Sequence, residues 1–506
     1  MGCILIAGAQ IYSAAPSKNV LIILSDDQGY AGFNSYLDNV TPENLGSVHA
    51  DSYRSITKTS STKAPIGVCI DAARKSMPNM DSFATTATKF TAAYTAPTCV
   101  PARAMLMTGR YPQGFGVYCN DDVVASNVKG VPSEVKFPVE LFKKAGYMTA
   151  ICGKWHLGSM PGQSPNERGF EYSFGFDRAH TEKYNSKILK RNGEAAPASG
   201  WLADQVTDEA LAVIQRSESE KRPFFLYVAY NEPHGPIPPP PQMYKDGIKS
   251  GCDVVDNFFG QVYGMDHGIG RILAELKRKG KYENTLIVYA SDNGQGDKGS
   301  GFNSPGNHTP VPGNGQFRGG KWTTWEGGVR VPFIASISNG SPKTSNSIVS
   351  MMDVLPTALD YAGIQIPEGY PMDGKSFLPI LQNKSDINSE RTLFWAGEGN
   401  NTFPDDFPDG EWNFDFKVLS EKAKDLKKGN FIPVWYVRTS KWKLTAWDIF
   451  PPVLFDMSTD PYERKDVAKQ NPEVVKQLTQ DFKKWIKEQK KPLGYNLSQW
   501  EKFMNR

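Results

Sequence analysis

Four short stretches of the chain are apolar at nearly every position and become polar immediately afterwards. They are NVLIILS at 19–25, YMTAIC at 147–152, PFFLYVAY at 223–230 and TLIVYAS at 285–291. A strand without alternation of apolar and polar positions is buried on both faces, as in a mostly parallel sheet covered by helices. The pattern therefore predicts the central strands of a large α/β domain.

Between these strands, apolar residues recur at three- and four-residue spacing. This spacing predicts helices over 81–89, 265–279 and 353–362. Strands that alternate with helices favour a doubly wound architecture. We expect a large, mostly parallel mixed sheet sandwiched by helices.

The composition changes from about residue 400, where TFPDDFPDGEWNFDF at 402–416 is rich in aromatic and acidic residues. Further on, 435–446 and 452–456 have the pattern of strands, and 472–487 that of a charged amphipathic helix. These patterns predict a smaller C-terminal α+β domain with an antiparallel sheet. We expect the large domain to span 16–395 and the smaller one 396–506.

Charge and hydropathy limit the partners of the chain. Its 506 residues carry 57 Lys and Arg against 54 Asp and Glu, a net charge of +3. This balance argues against a nucleic-acid or membrane-surface partner. An apolar stretch at 3–15 before Pro16 resembles a secretory leader, although no Lys or Arg precedes Lys18. We expect cleavage after residue 15 and a periplasmic or secreted protein; a cytoplasmic protein is the alternative.

Acidic residues follow the first and the fourth predicted strand. Asp26 and Asp27 come after one, Asp292 and Asn293 after the other. In open α/β sheets, ligands bind beyond the carboxyl ends of the strands, so these side chains are expected to converge. Hard oxygen ligands suit Ca²⁺ or Mg²⁺. The alternative is that both pairs only mark turns or helix caps.

Basic residues follow the other two strands, and a further lysine lies in a later glycine-rich motif. Lys154 and His156 lie in GKWHLG, His234 ends EPH, and Lys321 lies in RGGKWTTWEGG. Lysines beside a cation make sense when the substrate is itself an anion whose charge they share. The alternative is a packed histidine or a solvated lysine at each position.

Cys99 opens a predicted helix in a chain whose six cysteines, at 3, 69, 99, 119, 152 and 252, form no CxxC pair. A zinc ribbon or redox dithiol is therefore not indicated. Apart from Cys3 and Cys99, four cysteines remain, enough for up to two disulfides. Cys99 could be a thiol nucleophile, but soft sulfur is a poor match for a hard-metal site.

The ordered motifs resemble those of formylglycine-dependent sulfatases of the alkaline-phosphatase-like superfamily, bacterial polysaccharide sulfatases among them. The pentapeptide CVPAR at 99–103 is similar to the C-x-P-x-R signature, and MTGRYP, GKWHLG, EPH, SDNG and GGKWTTWEGGVRVPF follow in the family's order. The resemblance runs from about residue 19 to about 395. It is weaker in YVRTSKWKL and LFDMSTDPYE of the C-terminal domain.

The resemblance implies a role for each candidate residue. Cys99 would be oxidised by a maturation enzyme to formylglycine (3-oxoalanine). The hydrate of this aldehyde would attack sulfur, and Arg103 would orient the hydrate. The cation, usually Ca²⁺, would be held by Asp26, Asp27, Asp292, Asn293 and the oxygen derived from Cys99. Lys154, His234 and Lys321 would bind the sulfate. His234 would protonate the leaving alcohol, and His156 would deprotonate the second hydroxyl to expel sulfate.

Two residues depart from the family pattern: Ala102 replaces the usual serine, and Trp322 stands where a small residue is common. The polar stretch 45–73 also looks like an insert. With 178–191, the proline-rich loop after His234 and 403–416, it is a candidate for the rim of the site, to which the C-terminal domain would contribute. The alternatives are a surface loop for the insert and interdomain packing for the aromatics.

The expected substrate is a sulfated carbohydrate, an algal galactan such as carrageenan being one candidate. Within the superfamily, the alternatives are an arylsulfatase for small molecules and a phosphodiester or phosphonate monoester hydrolase. Outside it, they are a sulfated-glycan-binding protein that never matures Cys99, and a cysteine hydrolase. A binding protein needs no acid and base, which argues against that alternative.

Overall fold

The computed structural model describes residues 18–45, 64–120, 130–196, 199–296, 312–384, 390–398, 433–447 and 451–493. The expected leader at 1–15 and the aromatic-acidic stretch 403–416 lie outside these residues, and the insert 45–73 lies partly outside them. No helix in the described ranges is both long and apolar enough to cross a membrane.

The described part contains a main sheet, a two-stranded sheet and a small four-stranded sheet. The strands are β1 Asn19–Asp26, β2 Thr88–Phe90, β3 Ala93–Tyr94, β4 Met148–Lys154, β5 Tyr172–Phe176, β6 Lys190–Arg191, β7 Glu194–Ala195, β8 Phe224–Pro233, β9 Thr285–Ser291, β10 Phe333–Ser336, β11 Lys343–Ser345, β12 Val349–Ser350, β13 Leu393–Glu398, β14 Pro433–Arg438, β15 Trp442–Trp447 and β16 Val453–Asp456. The helices are α1 Ile66–Lys75, α2 Pro78–Ala84, α3 Cys99–Thr108, α4 Val139–Lys144, α5 Leu202–Ser219, α6 Gln242–Ile248, α7 Asp253–Arg278, α8 Glu326–Val329, α9 Val354–Ala362, α10 Leu378–Leu381 and α11 Pro472–Lys487.

The main sheet has the order β11-β2-β10-β9-β1-β8-β4-β5-β6-β7. Strand β1 is parallel to both β8 and β9, and β4 is parallel to β8 and β5, whereas β10 and the β6–β7 edge pair antiparallel. The four strands predicted from continuous apolar runs are thus the adjacent central strands. The predicted fold class, a mostly parallel mixed sheet with helices, is confirmed.

Strand β1 is apolar throughout because each of its faces contacts a separate hydrophobic core. Val20, Ile22 and Leu24 pack in the core that includes α3 and α9. Leu21 and Ile23 point to the opposite face, into the core that includes α5 and α7. Since successive side chains of a strand alternate between faces, a strand covered on both sides needs apolar residues at every position.

The helix predicted over 81–89 is wrong in its extent. Helix α2 ends at Ala84, and Thr88–Phe90 is instead β2, which lies between β10 and β11. Tertiary pairing and β-branched threonines outweigh the helical spacing there. Helix α7 ends at Arg278, within one residue of the predicted 265–279, but begins much earlier, at Asp253, whereas α9 and α11 agree with their predictions.

The small sheet is antiparallel, in the order β13-β14-β15-β16, as predicted for the C-terminal part. The stretch 435–446, predicted as one strand, is a hairpin in which Arg438 pairs with Lys443. Helix α11 covers the sheet, and Phe482 stacks on Trp435 with ring centroids 4.2 Å apart. The predicted domain boundary after residue 395 falls inside β13, and the division into domains stays a prediction.

A buried ionic cluster joins the small sheet to helix α8. Lys443 of β15 is fully buried and lies 2.9 Å from Glu326 of α8 and 2.8 Å from Glu463. The second oxygen of Glu326 accepts a hydrogen bond of 2.9 Å from the Tyr94 hydroxyl. Glu326 lies only a few residues beyond Lys321, so the cluster anchors the segment that carries this lysine.

We expect Lys443→Met to lower the free energy of unfolding by about 3–5 kcal/mol, because it removes the cation paired with the buried Glu463 and leaves Glu326 with Arg330, 3.1 Å away, as its remaining ion-pair partner. Denaturant unfolding measures the change. The matched control is Lys441→Met, which removes an exposed lysine 3.7 Å from Asp456 and should change stability by less than about 1 kcal/mol. Equal stability of the two variants would show that the cluster does not hold the sheet in place.

Candidate active site

The carboxyl ends of the central strands bring the predicted site residues together. Asp26 ends β1, Lys154 ends β4, His234 directly follows β8, and Asp292 directly follows β9. Each predicted residue has at most 6% of its surface exposed: Asp26, Asp27, Cys99, Arg103, Lys154, His156, His234, Asp292, Asn293 and Lys321. Charged and polar groups buried to this degree need partners.

Three cationic side chains pair with three carboxylates. Lys154 Nζ lies 2.6 Å from Asp26 Oδ2, and Lys321 Nζ lies 2.6 Å from Asp27 Oδ1. The third pair is Arg103 with Asp292, whose Oδ2 accepts hydrogen bonds of 3.1 Å from Nε and 2.9 Å from a terminal nitrogen. The charges of these six groups balance. A divalent cation added to the cluster would therefore create a positive excess that an anionic substrate could neutralise.

The three carboxyl groups differ in their pKa values. Burial raises the pKa of Asp26, but Lys154 and Arg103 outweigh it and hold that pKa well below its usual range. The pKa of Asp27 is likewise lowered, since Lys321 opposes the effect of burial. Burial and the neighbouring negative charge of Asp26 raise the pKa of Asp292. The negative charge of the cluster is therefore held most firmly by Asp26 and Asp27.

Cys99 is the first residue of α3, a helix whose residues are all buried. Its Sγ lies 3.6 Å from Asp26 Oδ1 and 3.1 Å from Lys321 Nζ. Burial raises the pKa of the Cys99 thiol, and Lys154 and Lys321 oppose this only in part. An unmodified Cys99 therefore keeps its proton at neutral pH, which argues against the cysteine hydrolase alternative because the thiolate is the nucleophile there.

The five cysteines in the described ranges are all buried, and none of them is in a disulfide. The two disulfides that four cysteines could have formed are therefore not observed. Burial raises the pKa of Cys69 to about 12, as expected for a thiol that packs as a small apolar side chain.

The backbone is strained at three positions of the site motifs. Asp27, His156 and Trp322 have φ values of 64°, 59° and 73°, in the left-handed region that bulky residues rarely adopt. Such conformations concentrate at functional sites, where the surrounding structure imposes them. Gly153 has a different constraint, since a Cβ there would lie 1.9 Å from the carbonyl oxygen of Ala229.

The two histidines are both neutral in this environment. Burial, followed by the positive charge of Lys154, lowers the pKa of His156 well below its usual value. Burial lowers the pKa of His234 to about 3, although Asp27 and Asp26 oppose it. His156 is thus already in the form a general base requires. His234 could act as an acid only if a bound anion raised its pKa.

Hydrogen bonding defines the tautomer of the neutral His234 ring. Its Nδ1 lies 2.6 Å from the carbonyl oxygen of Gly235, which can only accept, so Nδ1 carries the proton. Its Nε2 lies 3.6 Å from Asp27 Oδ2 and faces the cluster as a lone-pair donor. This orientation suits either proton uptake from solvent or contact with a cation.

The donor set fits a hard divalent cation. Ligand atoms of Asp26, Asp27, Cys99 and His234 all lie within 4.8 Å of one another. Asn293 donates to Asp27 Oδ1 at 2.7 Å, while its own Oδ1 is buried and has no hydrogen-bond partner in the described structure. A buried acceptor without a donor is costly, and a cation would satisfy it. Carboxylate and amide oxygens are the ligands that Ca²⁺ and Mg²⁺ prefer.

The sequence analysis missed two residues that support the cluster. Asn231 donates to Asp26 Oδ2 at 2.7 Å, and the carbonyl oxygen of Asn231 accepts a hydrogen bond from Lys183. Lys183 also lies 3.4 Å from Glu232. The sequence could have indicated Asn231, since this residue directly follows the third apolar run and precedes the EPH motif. Lys183 gave no signal, because a lysine in a polar loop looks solvated.

Comparison with known proteins defines the class. The family model described as Sulfatase matches residues 18–364. The uncharacterized sulfatase YdeN of Escherichia coli (strain K12) is 32% identical over 538 residues, covering 98% of this chain and 89% of the relative. The N-acetylgalactosamine-6-sulfatase of Canis lupus familiaris is 32% identical over 414 residues, covering 76% of each chain.

Among solved structures, Ps i-CgsB in complex with k-i-k-neocarrahexaose matches with a TM-score of 0.74, 25% identity and 96% of each chain covered. The fold is thus that of the alkaline-phosphatase-like sulfatases. The chain belongs to the sulfatase family and is a sulfuric ester hydrolase. The roles of its individual residues stay predictions.

We expect Asn293→Ala to weaken Ca²⁺ binding about tenfold or more, because it removes an oxygen that is otherwise without a partner. Titration calorimetry on EDTA-treated protein measures the dissociation constant. Asn284→Ala is the matched control, since Asn284 is exposed at the opposite end of β9 and should leave the affinity unchanged. Undiminished Ca²⁺ affinity in Asn293→Ala would remove Asn293 from the ligand set.

Proposed function

We propose that this enzyme hydrolyses sulfate esters of a sulfated polysaccharide or its oligosaccharides, with a formylglycine made from Cys99. The observation that carries the proposal is the placement of Cys99 Sγ between a carboxylate and an ammonium group, 3.6 Å from Asp26 and 3.1 Å from Lys321. A nucleophile formed at residue 99 would therefore lie beside both the carboxylates of the candidate cation site and an ammonium group that can stabilise an anion.

The modified residue and the cation supply chemistry that a serine or cysteine lacks. The hydrated aldehyde, activated by Ca²⁺ or Mg²⁺, provides a nucleophile that can later release sulfate without attack of water on sulfur. Asp26, Asp27, Asp292 and Asn293 would hold the cation with the oxygen that replaces the sulfur of Cys99. A maturation enzyme would carry out the oxidation of Cys99.

The remaining residues bind and move protons. Lys154 and Lys321 already lie over Asp26 and Asp27, and they can turn to the sulfate oxygens of a bound ester. Arg103 would keep the nucleophile oriented from its contact with Asp292. His156, neutral and with its buried Nδ1 unpartnered in the described part of the chain, would take the proton that accompanies sulfate release. His234 would protonate the leaving alcohol.

A carbohydrate substrate is supported by the similar proteins. One is named for sulfate removal from N-acetylgalactosamine, and another was crystallised with a neocarrahexaose, a hexasaccharide by name. We therefore favour a sulfated glycan, with carrageenan oligosaccharides as the first candidates, over a small aryl sulfate. Because the two similar proteins differ in their sugars, the particular glycan and the sulfate position need direct measurement.

We expect the enzyme, matured and supplied with Ca²⁺, to release inorganic sulfate from at least one sulfated glycan in a panel of carrageenans, their oligosaccharides and N-acetylgalactosamine 6-sulfate. Cys99→Ala should abolish release while the protein stays folded, because no nucleophile remains. Cys252→Ala, which alters a buried cysteine distant from the site motifs in sequence, is the control.

Peptide mass spectrometry must accompany this assay, since the sulfhydryl of Cys99 should be replaced by a carbonyl oxygen. An active Cys99→Ala enzyme would reject the mechanism. If formylglycine-containing protein hydrolyses aryl sulfates but none of the glycans, the proposal of a glycan substrate is rejected. Faster turnover of matched phosphate or phosphonate esters would instead favour the phosphoester hydrolase.

We expect His234→Ala to lower kcat more for poor leaving groups than for activated ones, because only a poor leaving alcohol needs a proton. A series of aryl sulfates with phenols of increasing pKa measures this dependence. The losses should range from about 10²-fold to 10⁴-fold at the poor end. An equal loss across the series would reject His234 as the general acid and favour a role in binding.

A further inference from the structure

The loop 177–186, which follows β5, is anchored to the floor of the active site. Lys183, only 1% exposed, donates to the carbonyl oxygen of Asn231 and lies 3.4 Å from Glu232. Asn231 in turn donates to Asp26 at 2.7 Å. The residue after Lys183, Tyr184, donates from its hydroxyl to the carbonyl oxygen of Pro239 at 3.2 Å. The loop is therefore held between the acidic cluster and the proline-rich segment.

This anchoring places His180 against His234. The two imidazole rings meet edge to face at 81°, with centroids 5.9 Å apart. His234 is buried, whereas His180 is exposed to solvent. Neither ring nitrogen of His180 has a hydrogen-bond partner among the residues that the structure describes. His180 therefore presents its ring nitrogens on the solvent side of His234, the residue proposed to protonate the leaving alcohol.

We propose that His180 determines specificity by hydrogen bonding to a hydroxyl of the sugar that carries the scissile sulfate. This inference rests on the proposed function. Lys154 and Lys321 pair with the carboxylates of the acidic cluster, so the sulfate is expected there and the leaving alcohol beside His234. His180, which contacts the solvent side of His234, would then face the sugar beside the leaving oxygen.

Imidazole chemistry and the rigid loop both suit this role. A neutral imidazole has one donor and one acceptor, which matches a sugar hydroxyl that can accept and donate. A contact held in place before binding loses little entropy when substrate arrives, and the Lys183 anchor provides such preorganisation. An aryl sulfate has no hydroxyl at this position, so its hydrolysis should not depend on His180.

The test compares wild type with His180→Ala and His180→Gln, using formylglycine-containing protein with Ca²⁺. The substrates are the sulfated oligosaccharide that wild type cleaves best and the series of aryl sulfates. We expect His180→Ala to lower kcat/KM for the oligosaccharide about tenfold, and to change it less than about twofold for every aryl sulfate. His180→Gln, which keeps a donor and an acceptor, should recover part of the loss.

Lys187→Ala is the matched control, because Lys187 is an exposed residue of the same segment and should leave both substrates unaffected. A loss that grows with the pKa of the leaving phenol would show that His180 acts only through His234 and would overturn the inference. So would an equal loss on all substrates, or none on the oligosaccharide. Wild-type enzyme that cleaves aryl sulfates alone would overturn the proposed function itself, and this outcome is visible without any variant.

Discussion

The site depends on the burial of three carboxylates together with three cationic side chains beyond the ends of parallel strands. None of these charges could be buried alone, since an isolated ion in the protein interior costs several kcal/mol. The pairs of Asp26 with Lys154, Asp27 with Lys321, and Asp292 with Arg103 offset this cost mutually. Because these charges balance, a divalent cation added to the cluster would leave a positive excess for an anionic ester to neutralise.

The local backbone follows from this requirement. The chain leaves β1 and β4 through Asp27 and His156, and both residues adopt left-handed φ values at these strand ends. The central strands, packed between hydrophobic cores on both faces, supply the rigidity that maintains these conformations. Because Gly153 admits the carbonyl of Ala229 at close range, β4 and β8 can bring Lys154 and His234 to one side.

The small C-terminal sheet is part of the same arrangement. Its Lys443 pairs with Glu326 of α8 and with Glu463, while Thr445 shares a hydrogen bond of 2.9 Å with Thr324. Both contacts fall on the segment that begins at Lys321. The position of this lysine over Asp27 is therefore set from two directions, by the acidic cluster below it and by the small sheet beside it.

The sequence by itself determined the central strands and the positions of the acidic and basic residues at their ends. Continuous apolar runs followed by polar residues are a local signal, because burial on both faces constrains each position separately. The ordered motifs around Cys99 added the family for the same reason, since each motif is contiguous.

Only the tertiary structure decided which residues are neighbours. The pairing of β2, the buried cluster around Lys443 and the support from Lys183 and Asn231 all join residues far apart in the chain. Spacing along one segment carries no information about such contacts, because their energies depend on burial and charge contributed by other segments. The same holds for His180, whose imidazole lies against that of His234 although the two residues are far apart in the chain.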